Sequence, residues 1–299
     1  MTLETVLVNA QNYGQGLHLG SFEPGSQEWH NLRATGIGGS DVGTICGLNP
    51  WQSAFTLWAK RTGKIEDDQS DSEAMEWGRR LESVILDKFA EEHPELDVID
   101  TPGTFQNKDR AWQLANPDGI AIDRKTGEHI IIEIKTARYE DDWVNGVPEY
   151  YRTQVLWYLQ TFGFQRAYVA ALFCGSKYRE FEVLADDFEQ QTNLKRVEQF
   201  RTYLEQDKQP DYDGATSTYE TIRRLHPDIE DIEVELGDLG VHYFNAAAAA
   251  AESDKKLTEL KSRILDAMGK AKRGLVDGTW MLTRQARSGG TPYLVNKKG

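Results

Sequence analysis

Asp118, Glu133 and Lys135 are the residues whose types and spacing could do chemistry. They lie in the stretch ANPDGIAIDRKTGEHIIIEIKTA, residues 115–137. This stretch reads as two short strands around a Gly-containing turn, Arg124-Lys125-Thr126-Gly127. A turn centred between Lys125 and Thr126 sets Asp118 opposite Glu133, with Cα atoms about 4.5–5.5 Å apart. Side chains alternate along a strand, so Glu133, Lys135 and Ile131 share one face, and Ile130, Ile132 and Ile134 point the other way into a core. Two carboxylates that close repel each other unless a cation lies between them. The arrangement suits a hard, oxygen-preferring ion such as Mg2+. An acid-x-Lys triplet alone is common on solvated strands. The Pro117-Asp118-Gly119 turn on the paired strand gives this one its weight.

Four blocks, in order, resemble a known family. Asn116-Pro117-Asp118-Gly119 followed by Glu133-Ile134-Lys135 resembles the PD-(D/E)xK nuclease signature. Arg33-Ala34-Thr35-Gly36-Ile37-Gly38-Gly39-Ser40-Asp41 resembles the GIGGSD box of the YqaJ-type viral recombinases, a family that includes the lambda-type phage exonucleases. Trp77-Gly78-Arg79-Arg80-Leu81-Glu82 resembles its WG-x-x-x-E helix, and Tyr150-Tyr151-Arg152-Thr153-Gln154-Val155 its helix ending in Gln-Val. The likeness runs from about residue 28 to about residue 205.

The resemblance implies an α/β fold with a restriction-endonuclease-like core, a central mixed sheet flanked by helices. It implies a metal-dependent 5′→3′ double-strand DNA exonuclease of phage or prophage recombination, leaving 3′ single strands for a single-strand annealing protein. A restriction or repair endonuclease and a non-catalytic DNA-end-binding module are the alternatives. In this reading Asp118, Glu133 and the backbone carbonyl of Ile134 hold Mg2+, with Mn2+ as a substitute and one or two ions per site. Glu82 adds a carboxylate for the first or a second ion. Lys135 orients the attacking water; action as a base would require a depressed pKa. Gln154 stands near Lys135 and that water. Arg33, with Ser40, holds the 5′ terminal phosphate, since a guanidinium can grip phosphate with two N–H groups. Gly36, Gly38 and Gly39 would let backbone approach closely. No Gly-Lys-Ser/Thr follows the glycines, so a P-loop is not indicated. Family analogy also suggests a homo-oligomer, a trimeric ring, in the cytoplasm of a bacterial host. Trp51, Phe55 and Trp58 read as core packing, with a strand-separating wedge as the sharper alternative.

Composition sets bounds. The 299 residues are 39% hydrophobic and 27% charged, ordinary for a globular protein with a substantial core. No stretch approaches the roughly 20 apolar residues of a membrane span. The first residues, MTLETVLVNAQNYGQG, show no basic segment leading into an apolar one, so no secretory signal is evident. Cys46 and Cys174 fit a reducing compartment and are too few to hold an iron–sulfur cluster. The six histidines show no zinc spacing. The net charge of −14 is unevenly spread. Residues 255–299 carry 11 Lys and Arg against 3 Asp and Glu, a net of +8, and the remainder is at −22. A local basic track could hold DNA while the acidic exterior discourages non-specific adhesion.

The expected elements follow from periodicity and punctuation. Residues 1–28 look irregular, broken by Gly14, Gly16, Gly20, Pro24 and Gly25. Residues 72–92 read as a helix with Trp77, Leu81, Val84 and Lys88 on one face and Gly78, Glu82, Ile85 and Phe89 on the next. The hairpin at about 113–136 is followed by a helix over 148–162, strands RAYVAALFC and YREFEVL, and a helix over 187–206. The exonuclease core therefore spans 1–206. Residues 207–236 read as a linker and 237–299 as an appendage: a long helix to about Met268, then hairpins around Asp277-Gly278 and Ser288-Gly289-Gly290.

Overall fold

The computed structural model describes residues 12–22, 25–66, 72–100 and 103–297. The first eleven residues, and with them the signal-segment expectation, lie outside this range, as does Pro24. Residues 1–227 and 228–299 form two compact units.

The first unit is built on a five-stranded mixed sheet. Its strands are β2 (Leu96–Asp100), β5 (Gly119–Asp123), β6 (His129–Ala137), β7 (Arg166–Phe173) and β8 (Lys177–Leu184), adjacent in that order. β5 and β6 are antiparallel and pair Gly119 with Ile132 and Ile120 with Ile131, the expected register. The turn between them is made by Asp123, whose Oδ1 accepts from the N–H groups of Lys125 (2.8 Å) and Thr126 (2.7 Å). β6 and β7 are parallel. A parallel pair needs a crossover, and the helix α5 (Glu149–Phe162) supplies it, ending at Gly163 with a left-handed φ of 72°.

β6 is buried on both faces. Ile130, Ile132 and Ile134 pack with Ile85, Leu86 and Phe89 of the helix α4 (Glu73–Glu92). Ile131 packs with Val155, Leu156 and Leu159 of α5. The run Ile-Ile-Ile-Glu-Ile is thus a central strand, apolar on both sides. Burying each isoleucine contributes about 1.5–3 kcal/mol.

Two expectations are corrected, and two features add to the sequence reading. Residues Gly16–Gly20 are not irregular: they form β1, antiparallel to β3 (Thr104–Asn107), which pairs in turn with β4 (Leu114–Ala115). The first arm of the expected hairpin is broken between β4 and β5 by Asn116-Pro117-Asp118, because proline cannot donate to a ladder. β2 was hidden in LDVID, directly after the helix stop at Pro94. On α4 the face led by Trp77 and Val84 is solvent-exposed, at 60% and 59%, and the Ile85/Phe89 face alone is core.

The expected linker over 207–236 contains a helix, α7 (Thr216–Leu225). It docks by hydroxyl groups on α3 (Ala54–Arg61) and its cap. Thr218 Oγ1 lies 2.7 Å from Ser53 Oγ, and Thr221 Oγ1 lies 2.9 Å from Thr56 Oγ1, all four residues buried. Buried hydroxyls need such partners, and Ile222 and Leu225 add partly buried apolar contacts with the core. The helices α1 (Gln27–Ala34), α2 (Gly39–Ile45) and α6 (Asp187–Glu205) complete this unit.

The second unit holds α8 (Gly237–Met268) and a three-stranded antiparallel sheet, β9 (Arg273–Val276), β10 (Thr279–Gln285) and β11 (Tyr293–Asn296). No side chain of α8 is buried. The β9–β10 turn has Asp277 and Gly278 at φ 48° and 76°, the doubly left-handed geometry that Asp-Gly favours.

Candidate active site

The site forms where β6 leaves the core. Glu133 is 1% exposed, held among apolar side chains on the face that meets α5. A carboxylate there must be compensated. Its Oε1 accepts from Lys135 Nζ and from Gln154 Nε2 at 2.6 Å. Gln154 Nε2 also donates to Tyr158 Oη at 3.0 Å. Asp118 lies one residue before β5, and its Oδ2 accepts from the backbone N–H of Ile134 at 2.6 Å. Lys135 Nζ stands 5.0 Å from the centre of the Tyr151 ring. Asp118, Glu133, Lys135 and Gln154 are therefore brought together as expected.

Glu82 joins them from α4, half-buried and within electrostatic reach of Asp118 and Lys135. Burial and the Asp118 charge push its carboxyl up to about 7, with Asp100 adding to the effect and Lys135 opposing it. Burial and Asp118 likewise push Glu133 up to about 8 against the pull of Lys135. Asp118 is raised by burial, although Lys135 and the Ile134 N–H favour its charged form. Burial would lower Lys135, but Glu133 and Asp118 outweigh it and hold the ammonium charged. Lys135 in this setting is held as an ammonium that donates to Glu133.

Three carboxyl groups share one ammonium, so the site is short of positive charge. Among the described residues no three His, Cys, Asp or Glu side chains stand already gathered as a cation cage. The donor chemistry nevertheless fits a hard cation. Glu133 Oε2 is buried without a hydrogen-bond partner, and the raised carboxyls are those an added positive charge would relieve. Asp118, Glu133 and the Ile134 carbonyl, with Glu82 beside them, are the groups available to it.

The glycine box packs against this site from α1 and α2. Arg33 Nη2 donates to Ser40 Oγ at 2.9 Å and lies 4.0 Å from Asp41 Oδ1. Its guanidinium carbon is 4.6 Å from the centre of the Trp29 ring. Arg61, for which the sequence offered no signal, donates to Asp41 Oδ2 at 2.6 Å and to the Arg33 carbonyl at 2.9 Å. Asp41 and Arg61 thus orient the pair Arg33 and Ser40. Two of the glycines serve protein packing rather than ligand approach. A Cβ at Gly36 would meet the Trp112 carbonyl oxygen at 2.3 Å, and one at Gly39 would meet the Tyr158 ring at 2.5 Å. Only Gly38 faces Arg33, at an unstrained 3.6 Å.

The aromatic cluster after the box divides. Phe55 and Trp58 are core, at 0% and 3% exposure, and Trp51 is 67% exposed with its ring 5.2 Å from Tyr150. A cleft of about 430 Å³ opens between Thr35, Arg61, Arg201 and Asp207. It lies apart from the carboxylates, and its arginines are already paired with Asp41 and Glu205.

The sequence profile of the YqaJ-like viral recombinase domain matches residues 28–165. The YqaJ protein of Bacillus subtilis (strain 168) is 28% identical over 268 residues, 85% of this chain and 82% of that protein. Protein D345L of African swine fever virus (isolate Tick/South Africa/Pretoriuskop Pr4/1996) is 25% identical over 152 residues, 44% of each chain. Among solved structures, the alkaline exonuclease LHK-Exo of Laribacter hongkongensis superposes with a TM-score of 0.52 at 19% identity, covering 67% of this chain and 97% of that one. Its complex with dAMP gives 0.51. The chain therefore matches the YqaJ-like viral recombinase domain over residues 28–165 and shares its fold with an alkaline exonuclease.

Proposed function

We propose that this protein is a metal-dependent nuclease that degrades double-stranded DNA from its 5′ ends, leaving 3′ single strands for an annealing protein during phage or prophage recombination. One observation carries the reading: Asp118, Glu133 and Lys135 converge at one strand end with Gln154 bonded to Glu133. Mg2+ bound there would polarise the scissile phosphate and make an attacking water more nucleophilic. Gln154 fixes the Glu133 carboxylate so that its second oxygen stays free to receive the ion. Lys135, held charged, hydrogen-bonds the incoming water and offsets the negative charge that develops on the phosphoryl oxygens. Arg33 and Ser40 offer N–H and O–H donors to a terminal phosphate, and the Trp29 ring beneath Arg33 limits its swing. By family analogy the working form is a homo-oligomeric ring.

The test uses Mg2+ and three DNAs: linear duplexes with 5′-phosphate or 5′-hydroxyl ends, and a supercoiled circle. The expected result is fastest loss of the 5′-phosphorylated duplex, an intact circle, and no reaction with chelator. Cleavage of the circle at a similar rate would mark an endonuclease instead.

A further inference from the structure

The second unit contains a niche that the exonuclease reading does not use. Its volume is about 140 Å³, and Lys270, Lys272, Arg284, Gln285 and Pro292 line it without any acidic side chain. The fold draws these residues together. Gly269 ends α8, and the following residues, 270–272, lead into β9, whose partner β10 carries Arg284. The Arg284 backbone N–H donates to the Lys272 carbonyl at 2.8 Å, which fixes the two cations on neighbouring strands. The Arg284 guanidinium donates through Nη1 to the Gly269 carbonyl, while its Nε is buried without a hydrogen-bond partner. Among the described residues no carboxylate pairs with Lys270, Lys272 or Arg284. Uncompensated cations around a cavity of this size lack an anion.

The surroundings point to a polymer rather than a small ion. Residues 269–299 contain seven Lys and Arg and a single acid, Asp277. The nearby Trp280 ring is already engaged by Arg273 at 4.5 Å and Lys297 at 5.1 Å. It is therefore not a free platform on which a base could stack. The contact on offer is charge on phosphate, independent of base identity. We propose that the niche of Lys270, Lys272 and Arg284 seats a backbone phosphate of DNA, giving the protein a second DNA contact separate from its carboxylate site. This rests on DNA being the polymer the protein acts on.

The experiment measures binding of a fluorescent duplex to the full chain in chelator, across a salt series, so that no cleavage intervenes. The variants are Lys270→Glu/Lys272→Glu and the milder Lys270→Gln/Lys272→Gln. Arg284 is left intact because it also holds Gly269. The slope of log K against log salt should fall by about 0.9 in the double variants, the loss of one phosphate contact. The glutamine pair keeps the stems and guards against misfolding, checked by an unchanged circular dichroism spectrum. Normal binding with an unchanged slope in both variants overturns the niche alone. Failure of the unaltered protein to bind DNA overturns the niche together with the nuclease reading.

Discussion

The carboxylate site and the basic niche handle charge in opposite ways. In the first unit Glu133 is enclosed, held by Lys135 and Gln154, and each carboxyl perturbs its neighbours. In the second unit Lys270 and Lys272 are exposed and have no counter-charge among the described residues. The first arrangement sacrifices solvation for fixed geometry, as the proposed phosphodiester chemistry would require. The second keeps its cations solvated and available, which suits reversible contact with a polyanion. The division also explains how a chain with net charge −14 can be read as a DNA enzyme: its positive charge is concentrated toward the C-terminus.

The sharpest way to break this comparison is at Glu133. Glu133→Gln should abolish degradation while DNA binding in chelator stays within about twofold, because the residue is buried and its side chain is unavailable to a docked backbone. Lys135→Ala should reduce turnover by roughly 10²–10³-fold, the scale of losing one preorganised charge donor. Near-normal turnover in either variant would remove the site from these residues.

Packing offers a second contrast. Ile132→Ala cuts into the fully buried face of β6 and should cost about 2–5 kcal/mol. Leu260→Ala on α8, at 44% exposure, should stay within about 0.5 kcal/mol. Urea denaturation monitored by fluorescence decides it. Equal costs would mean that α8 is covered by something in solution.

A smaller effect is expected at the end-recognition pair. Arg33→Ala should reduce the preference for 5′-phosphorylated ends by roughly tenfold to a hundredfold, the worth of a charge-assisted hydrogen bond. Rates on the two end types measure it, and full retention would assign the phosphate to another residue. Asp41→Asn should give a weaker version of the same defect, since it acts only by orienting Arg33 and Arg61.

The smallest effect is in pH. Glu82 and Glu133 titrate in the folded state at about 7 and about 8, above their ordinary carboxylate values. Between the unfolded and folded values the folded protein binds more protons, so stability falls as pH rises. In chelator the melting temperature should therefore drop from about pH 5 to pH 8. Added Mg2+ should flatten the decline, and Glu82→Gln should remove part of it. A melting temperature that rises over this range would contradict the charge balance described for the site.

The hairpin register was legible because the turn Arg124–Gly127 and the isoleucine run fix it from both ends. Asp118, Glu133 and Lys135 were legible for the same reason, since all three hang on that register. The helix start at Asp186 was marked by a residue whose side-chain oxygen caps it. What stayed hidden depends on contacts remote in sequence. β1 and β2 are short strands stabilised by partners far along the chain. α7 is held by threonines, whose burial no hydrophobic pattern announces. Arg61 reaches Asp41 from the end of a separate helix, and only the fold brings them together. Periodicity grouped Trp77 with Leu81 and Val84 on one helix face but could not say that Trp77 and Val84 would face solvent.

The contact between Gly39 and Tyr158 ties two parts of the sequence into one unit of change. A methyl group at 39 would occupy space held by the tyrosine ring, and the tyrosine hydroxyl in turn accepts from the glutamine that grips Glu133. Neither position can vary alone. Gly39→Ala with an intact tyrosine would displace the ring and slacken Gln154. Tyr158→Leu alone would leave both a void and an amide lacking one acceptor. The two exchanged together restore the volume and still forfeit the hydrogen bond. Variation at position 39 is thus confined by the bonding of the Glu133 carboxylate, although that glycine carries no side chain with which to take part.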